Sequence, residues 1–213
     1  MVTIARTESK RSSKRLTKPE RRRQLLDVAR QVLEDTGADA LTLGSLAQRA
    51  GVSKPVTYEH FGTRSGLLIA MLQDTSTYYQ LDAEAKLADA PPVISAVSEI
   101  VATAYVHCAI EAGPAMTVLA AAVQADSQAE AVGRSFRSDH AASFQRAFEG
   151  LIDDQKTDLA LMFKGLVAAA NAICDERTQN QITTPQAIAT LTHLLETSLS
   201  PFAKNLMKSR RRS

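Results

Sequence analysis

Apolar residues recur along this chain at spacings of three and four, the period of one helical face. The first such run is Leu25, Leu26, Ala29, Val32 and Leu33. Pro19 precedes it at a place suited to a first helical turn, where a missing N–H costs nothing, and Gly37 follows as a helix stop. A shorter run of Leu43, Leu46, Ala47 and Ala50 has Thr42 as its N-cap and ends at Gly51, a residue free to take positive φ. Ser53 caps a third short helix that has Pro55 in its first turn and runs to about Phe61. Thr63 caps a fourth through Leu67, Leu68, Met71 and Leu72. Two short helices about Gly51 form the pattern of a helix-turn-helix. Pro91-Pro92 then breaks the chain. Beyond it the periodicity predicts helices near 93–111, 115–126, 128–151, 155–178 and 185–207, punctuated by Gly113-Pro114, Gly133 and Pro185. No alternating run rich in Val, Ile and aromatics is present, so no sheet is expected. The predicted class is all-α, with a small N-terminal three-helix domain and a larger C-terminal helical bundle.

Composition narrows the partners. The chain has 213 residues, 45% hydrophobic and 23% charged, within the globular range. Two cysteines, Cys108 and Cys174, make neither a disulfide framework nor a metal finger. No stretch reaches the roughly 18 apolar residues that cross a bilayer, and residues 1–11 lack the apolar core of a signal peptide. A reducing, cytoplasmic setting without membrane attachment is the expectation. The net charge of +2 hides an asymmetry. Residues 1–66 carry 13 Lys/Arg against 7 Asp/Glu, residues 67–203 carry 7 against 16, and the last ten carry 5 against none. Basic ends on an acidic body suit a polyanion that meets only the ends; two solvated surfaces of opposite sign give the same count. Arg6, Lys10, Arg11, Lys14 and Arg15, set among hydroxyls, make residues 1–16 a basic arm, and residues 208–213 form a basic tail.

One string of residues is specific: Ala29 and Gly37, then Thr42-x-x-x-Leu46-Ala47-x-x-Ala50-Gly51-Val52-Ser53-Lys54, then Tyr58-Glu59-His60-Phe61, then Arg64 and Leu67-Leu68. In this string residues 21–68 resemble the DNA-binding domain of the tetracycline-repressor (TetR) family of transcription regulators. The resemblance implies that Thr42, Lys54, Tyr58, His60 and Arg64 touch DNA. It divides the chain into the arm (1–16), a helix-turn-helix domain (17–66), an effector-binding and dimerisation domain (67–207) and the tail. Groove geometry agrees, because a recognition helix presents its N-terminal residues to base edges. Ser53 and Lys54 stand there, and Lys54 can reach a guanine or a phosphate. Pro55 and Val56 offer apolar surface to a thymine methyl. Tyr58, one turn beyond Lys54, and His60 suit phosphate oxygens, as do Thr42 and Arg64 at helix starts. Glu59 either accepts from a cytosine amine or faces solvent, the latter favoured against phosphate repulsion. Gly44 removes a side chain that sometimes reads a base in relatives.

For the larger domain the resemblance implies a pocket for an unknown small-molecule effector. Apolar candidates for its lining are Met71, Tyr78, Tyr105, Cys108, Met116, Phe144 and Phe163, with His107, His140 and Asn171 as polar ones; ordinary core explains the apolar set equally well. It also implies a homodimer joined through the last two long helices. One stripe there is Leu159, Phe163, Leu166, Val167, Ala170 and Ile173; the other is Ile188, Leu191, Leu194, Leu195 and Leu199. In a monomer both stripes would be core. Nucleophile, phosphate-loop, dinucleotide and zinc-protease motifs are all missing. Asp153-Asp154 reads as a helix-start preference, and His107 and Cys108 diverge by about 100° on a helix. No enzyme, cofactor or metal site is therefore expected. The expected function is a regulator, a repressor in most of the family, that binds a pseudo-palindromic double-stranded operator as a dimer and is released by its effector. The alternatives are a nonspecific DNA-binding protein and a helical protein-interaction module.

Overall fold

The computed structural model describes residues 16–37, 39–123, 127–153 and 158–204; for residues 114, 116–123, 127–134, 136 and 137 only the backbone is described. Residues 1–15 of the basic arm, the whole basic tail and the side chain of Met116 lie outside the described residues. The described chain forms eight α-helices, and its one β feature is an isolated bridge between Ile152 and Ala203.

The first helix, α1, spans Lys18–Thr36 and opens on a reciprocal cap. The Glu20 N–H donates to the Thr17 hydroxyl at 3.4 Å, and the Thr17 N–H donates to the Glu20 carboxylate at 2.7 Å. These bonds hold the Glu20 carboxyl below the usual carboxylate range. Helix α2 spans Leu43–Arg49, α3 spans Lys54–Phe61 and α4 spans Arg64–Asp89. Gly51, between α2 and α3, sits at φ 66°, a conformation that a side chain disfavours. One core joins Leu25, Leu26, Ala29, Leu46, Phe61, Leu67, Leu68 and Met71. The small domain thus takes in the first turns of α4 and does not close at residue 66.

The turn from α3 into α4 is unusually tight. A Cβ at Gly66 would lie 2.1 Å from the Phe61 carbonyl oxygen, so only glycine lets the two helices meet there.

The larger body is built around α5, Ile94–Val123, which touches α4, α6 (Ser127–Ala147), α7 (Leu159–Thr178) and α8 (Thr184–Leu199). Val106, Phe148, Phe163, Ala170, Leu191, Leu195 and Leu199 are fully buried in its core, where the Phe148 and Phe163 rings stack with centroids 6.1 Å apart.

Several expectations are corrected. Gly113-Pro114 does not end a helix, because α5 runs straight through it. Proline removes one backbone bond there, but Ala115 is buried in the small-domain core, with Ala112 packed on it, while Val101, Ala102 and Val106 are buried in the larger core. Packing at both ends keeps the helix whole. The helix after residue 153 begins at Leu159, where Asp158, and not Asp153, caps it by accepting from the Leu161 N–H at 3.0 Å. The last helix stops at Leu199 and gives way to a 3₁₀ turn, Ser200–Phe202, about Pro201, which cannot continue the ladder. Ile94–Gly113, with mean hydropathy 1.2, is as long and apolar as a membrane span, contrary to the reading that no stretch comes near one. Its contacts with α4, α6, α7 and α8 bury 39% of that window.

The two stripes expected to pair protomers lie largely inside the single chain. Leu159, Phe163, Leu166, Val167, Ala170, Leu191, Leu195 and Leu199 are buried inside the single chain. Ile173, Ile188 and Leu194 are half-buried against the same core. The outward faces of α7 and α8 carry other residues: Leu161, 66% exposed, with Gly165, Ala168 and Ala172 on α7, and Ala189 and His193 on α8.

A methyl group at Gly66 tests the tight turn. Gly66→Ala should lower folding stability by about 1–3 kcal/mol through overpacking against the Phe61 carbonyl; a melting temperature equal to that of the parent would show that the turn has slack.

Candidate nucleic-acid interface and interhelical cavity

Helix α3 is split lengthwise by burial. Thr57 and Phe61 face the core, whereas Lys54, Pro55, Tyr58 and Glu59 face outward. The Thr57 hydroxyl is fully buried and lies 2.9 Å from both the Leu43 and Lys54 carbonyl oxygens, tying α3 to the start of α2. Arg22 of α1 donates from Nη1 to the His60 carbonyl at 2.8 Å and lies 5.0 Å above the Phe61 ring. The middle and the C-terminal end of α3 are thereby fixed to other helices.

The outward face is a narrow polar strip. Lys54 passes beside Gly44, where a Cβ would lie in ordinary contact 3.8 Å from its Cε and 3.7 Å from the Thr42 hydroxyl, so Thr42 and Lys54 flank one surface at Gly44. Thr42 is exposed and caps α2, its hydroxyl accepting from the Ser45 N–H at 3.0 Å. Tyr58 is 55% exposed and shares a helix face with Lys54. Ser53 is exposed, caps α3 and makes no side-chain cap bond.

Three side chains sit differently from expectation. Val56 is half-buried against the core, which leaves Pro55 as the open apolar surface beside Lys54. Arg64 is half-buried, and its Nε donates to the Leu41 carbonyl at 2.8 Å, so it fixes the approach to α2 as well as standing at a helix start. His60 is half-buried, and burial lowers its pKa, favouring the neutral imidazole, which still offers an N–H. Glu59 faces outward as expected, but it has a partner that sequence reading missed. The Lys18 ammonium donates to its carboxylate at 3.0 Å and holds that carboxyl below the usual range. No spacing signal links two residues 41 apart.

A cavity of about 240 Å³ lies among α4, α5 and α6. Tyr105, Cys108, His140 and Phe144 line it. The Tyr105 ring meets the His140 and Phe144 rings edge-on at 5.2 Å each, and its hydroxyl donates to Asn171 Oδ1 at 2.9 Å from behind the wall. Burial pushes the Cys108 thiol up to about 12, so it is an apolar, protonated wall. The other expected lining residues stand elsewhere. Met71 is in the small-domain core, Phe163 packs on Phe148, His107 faces a groove between α5 and α8, and Tyr78 is 63% exposed. Its neighbour Tyr79 lines the cavity instead. Burial and the hydrogen bond to Glu111 push the Tyr79 phenol up to about 12, so it remains a donor.

Residues 25–71 match the family described as bacterial regulatory proteins, tetR family. The chain is 48% identical over 63 residues to the HTH-type transcriptional activator FasR of Mycolicibacterium smegmatis, a match covering 30% of this chain and 29% of FasR. It is 32% identical over 87 residues to the HTH-type transcriptional regulator BetI of Rhizobium meliloti, covering 41% and 43%. Each match spans less than half of the relative's length. In fold, the chain is similar to a TetR-family transcriptional regulator from Mesorhizobium loti, with a TM-score of 0.67 at 18% identity over 89% of this chain and 100% of that one.

The buried hydroxyl of Thr57 gives a direct test. Thr57→Val keeps the shape but removes the side-chain bond to the Leu43 carbonyl, and should cost about 0.5–1.5 kcal/mol in urea unfolding. Tyr58→Phe, altering an exposed hydroxyl, should shift stability by less than about 0.5 kcal/mol. Equal effects would show that α3 is not anchored in this way.

Proposed function

We propose that this chain, whose residues 25–71 match the tetR family of bacterial regulatory proteins, is a sequence-specific transcriptional regulator of that family, a repressor that binds a pseudo-palindromic operator as a dimer and leaves it when a small molecule fills the α4–α5–α6 cavity. The observation that carries this reading is the outward strip of α3, where Lys54, Pro55 and Tyr58 stand exposed on a helix fixed at its middle and its C-terminal end. Lys54 serves as the base or phosphate reader. Tyr58, Thr42 and Ser53 serve the flanking phosphates, with the His60 N–H and the helix start at Arg64 beside them. The body carries the opposite sign, with a net charge of −9 over residues 67–203. The basic arm at 1–16 extends the positive end and supports an added minor-groove contact.

Dimerisation follows from what recognition needs. Two α3 strips reach successive major grooves only when held about 34–36 Å apart. The outward faces of α7 and α8, rich in small residues about Leu161, support the pairing, since the inward stripes are already occupied. Sedimentation should give twice the chain mass of 23.0 kDa at micromolar concentration; a species of single mass would refute the dimer.

Selection from random duplexes at near-physiological salt should enrich a two-fold symmetric motif. Failure to enrich any motif with folded protein would sink the regulator reading in favour of nonspecific binding or a protein partner. On the enriched duplex, Lys54→Ala should weaken binding by about 1–3 kcal/mol and relax preference at one position per half-site. Glu59→Gln should release Lys18 for phosphate and steepen the salt dependence, each added phosphate contact contributing a slope of about 0.9.

A further inference from the structure

We propose that the α4–α5–α6 cavity takes an uncharged, mainly apolar molecule bearing one hydrogen-bonding group, and that Tyr79, Glu111 and Arg30 carry its arrival from the cavity to α1. This rests on the regulator reading above and adds the class of ligand and the route of its effect.

The walls define the class. Leu87, Val101, Ala104, Phe144 and Ala147 supply apolar surface. The two charged lining residues, Glu84 and Arg146, are both exposed and of opposite sign, so no carboxylate or guanidinium is buried in the walls to receive an ionic ligand. The most withdrawn polar atom of the walls is the Ser76 hydroxyl, 3.4 Å from Nε2 of half-buried His140, and the two can share a hydrogen bond with one ligand group, with half-buried Gln80 and Ser143 as the remaining neutral polar residues of the lining. About 240 Å³ falls just below the roughly 300 Å³ at which drug-sized sites begin, so the occupant is compact.

The route starts in the same wall. Tyr79 lines the cavity and its hydroxyl donates to Glu111 Oε2 at 3.0 Å. The other Glu111 oxygen lies 3.7 Å from Arg30 Nε. Arg30, its side chain only 25% exposed, also binds Asp74 of α4 and, at 3.0 Å, Asp27 of its own helix. Arg30 therefore joins α1, α4 and α5 at one guanidinium. Eight residues earlier on α1, about 12 Å along the helix, Arg22 holds the last turn of α3 through the His60 carbonyl. A molecule that displaces the Tyr79 ring or takes its hydroxyl alters the hold of Glu111 on Arg30, and α1 carries the change to α3. The coupling exists only if occupied and empty forms differ at these contacts.

The test uses the full chain, the uncharged fluorophore N-phenyl-1-naphthylamine as probe, and two readouts: amide hydrogen exchange in α1 and α3, and affinity for the enriched duplex. The wild type should bind one probe molecule, change exchange in α1 and α3, and lose duplex affinity within the roughly 5- to 150-fold range of allosteric coupling. Glu111→Gln, which lies outside the cavity lining, should bind the probe within about twofold of wild type yet transmit less than about half of the exchange and duplex effects on a free-energy scale, and Tyr79→Phe should transmit equally little per molecule of probe bound. Ala104→Phe and, from the facing wall, Ala83→Phe should exclude the probe, with melting curves checking that each is folded. A wild type that ignores the probe, or folded blocked variants that both still bind it, overturns the cavity assignment. Full transmission in both Tyr79→Phe and Glu111→Gln overturns the route. The exchange readout needs no DNA, so a selection that yields no motif removes the regulator reading while the route is still judged.

Discussion

Eight residues are too few to hold a helix in water, where isolated helices shorter than about 12 residues are marginal. Helix α3 exists because Thr57 and Phe61 are buried and because its end is held by Arg22. That burial also decides its function. With those two side chains inward, the 100° step per residue sends Lys54, Pro55 and Tyr58 outward together, and no other rotation of α3 would do so. Gly66 enforces the same choice from the other side, since the helix that follows can approach the Phe61 carbonyl only without a side chain there. The recognition face is therefore a consequence of core packing, and its polar residues need contribute nothing to stability to be placed accurately.

Two helices belong to both halves of the molecule. Helix α4 gives Leu67, Leu68 and Met71 to the small core and Ser76 and Tyr79 to the cavity. Helix α5 gives Ala115 to the small core and Val106 to the large one. A dense core transmits displacement because it cannot absorb it in voids. The small domain is accordingly not a bead on a linker: any change in the angle of α4 or α5 reaches the platform that carries α3. The uninterrupted course of α5 through Pro114 fits this. A break there would save the cost of a proline in a helix, about 3 kcal/mol, and would uncouple the two cores.

Much of the small domain was legible because its signals are local. Caps at Thr42 and Ser53, the glycine at 51 and the spacing from Leu46 to Phe61 all act within one or two turns, and they located α2 and α3 to within a residue. The larger domain was legible as helices but not as faces. Choosing Tyr78 over Tyr79 was an error of phase: the buried series Leu68, Leu72, Thr75 and Ser76 points to Tyr79. The stripes on α7 and α8 were read correctly as apolar, but periodicity records that a face is buried and not by what. Arg30 was invisible for a different reason. Its partners Asp74 and Glu111 lie 44 and 81 residues away, and only the packing of three helices brings them together.

The electrostatics of the two ends then separate by environment. Lys18 and Glu59 are both about two-thirds exposed, so their attraction is screened by salt in the same way as contacts to phosphate. In the Arg30 cluster the arginine side chain is 25% exposed and its carboxylate partners 43–56%, so screening there is weaker than at Lys18 and Glu59. Raising salt should therefore loosen the proposed interface of Lys54, Lys18 and the arm more than it loosens the junction of α1, α4 and α5. Loss of DNA by screening and loss of DNA by a filled cavity would act on different sets of charges, so the two effects should combine nearly additively in free energy. That separation follows from burial alone. The residues that meet a polyanion must be exposed to reach it, whereas the residues that report on an internal cavity must be close enough to the core to feel it.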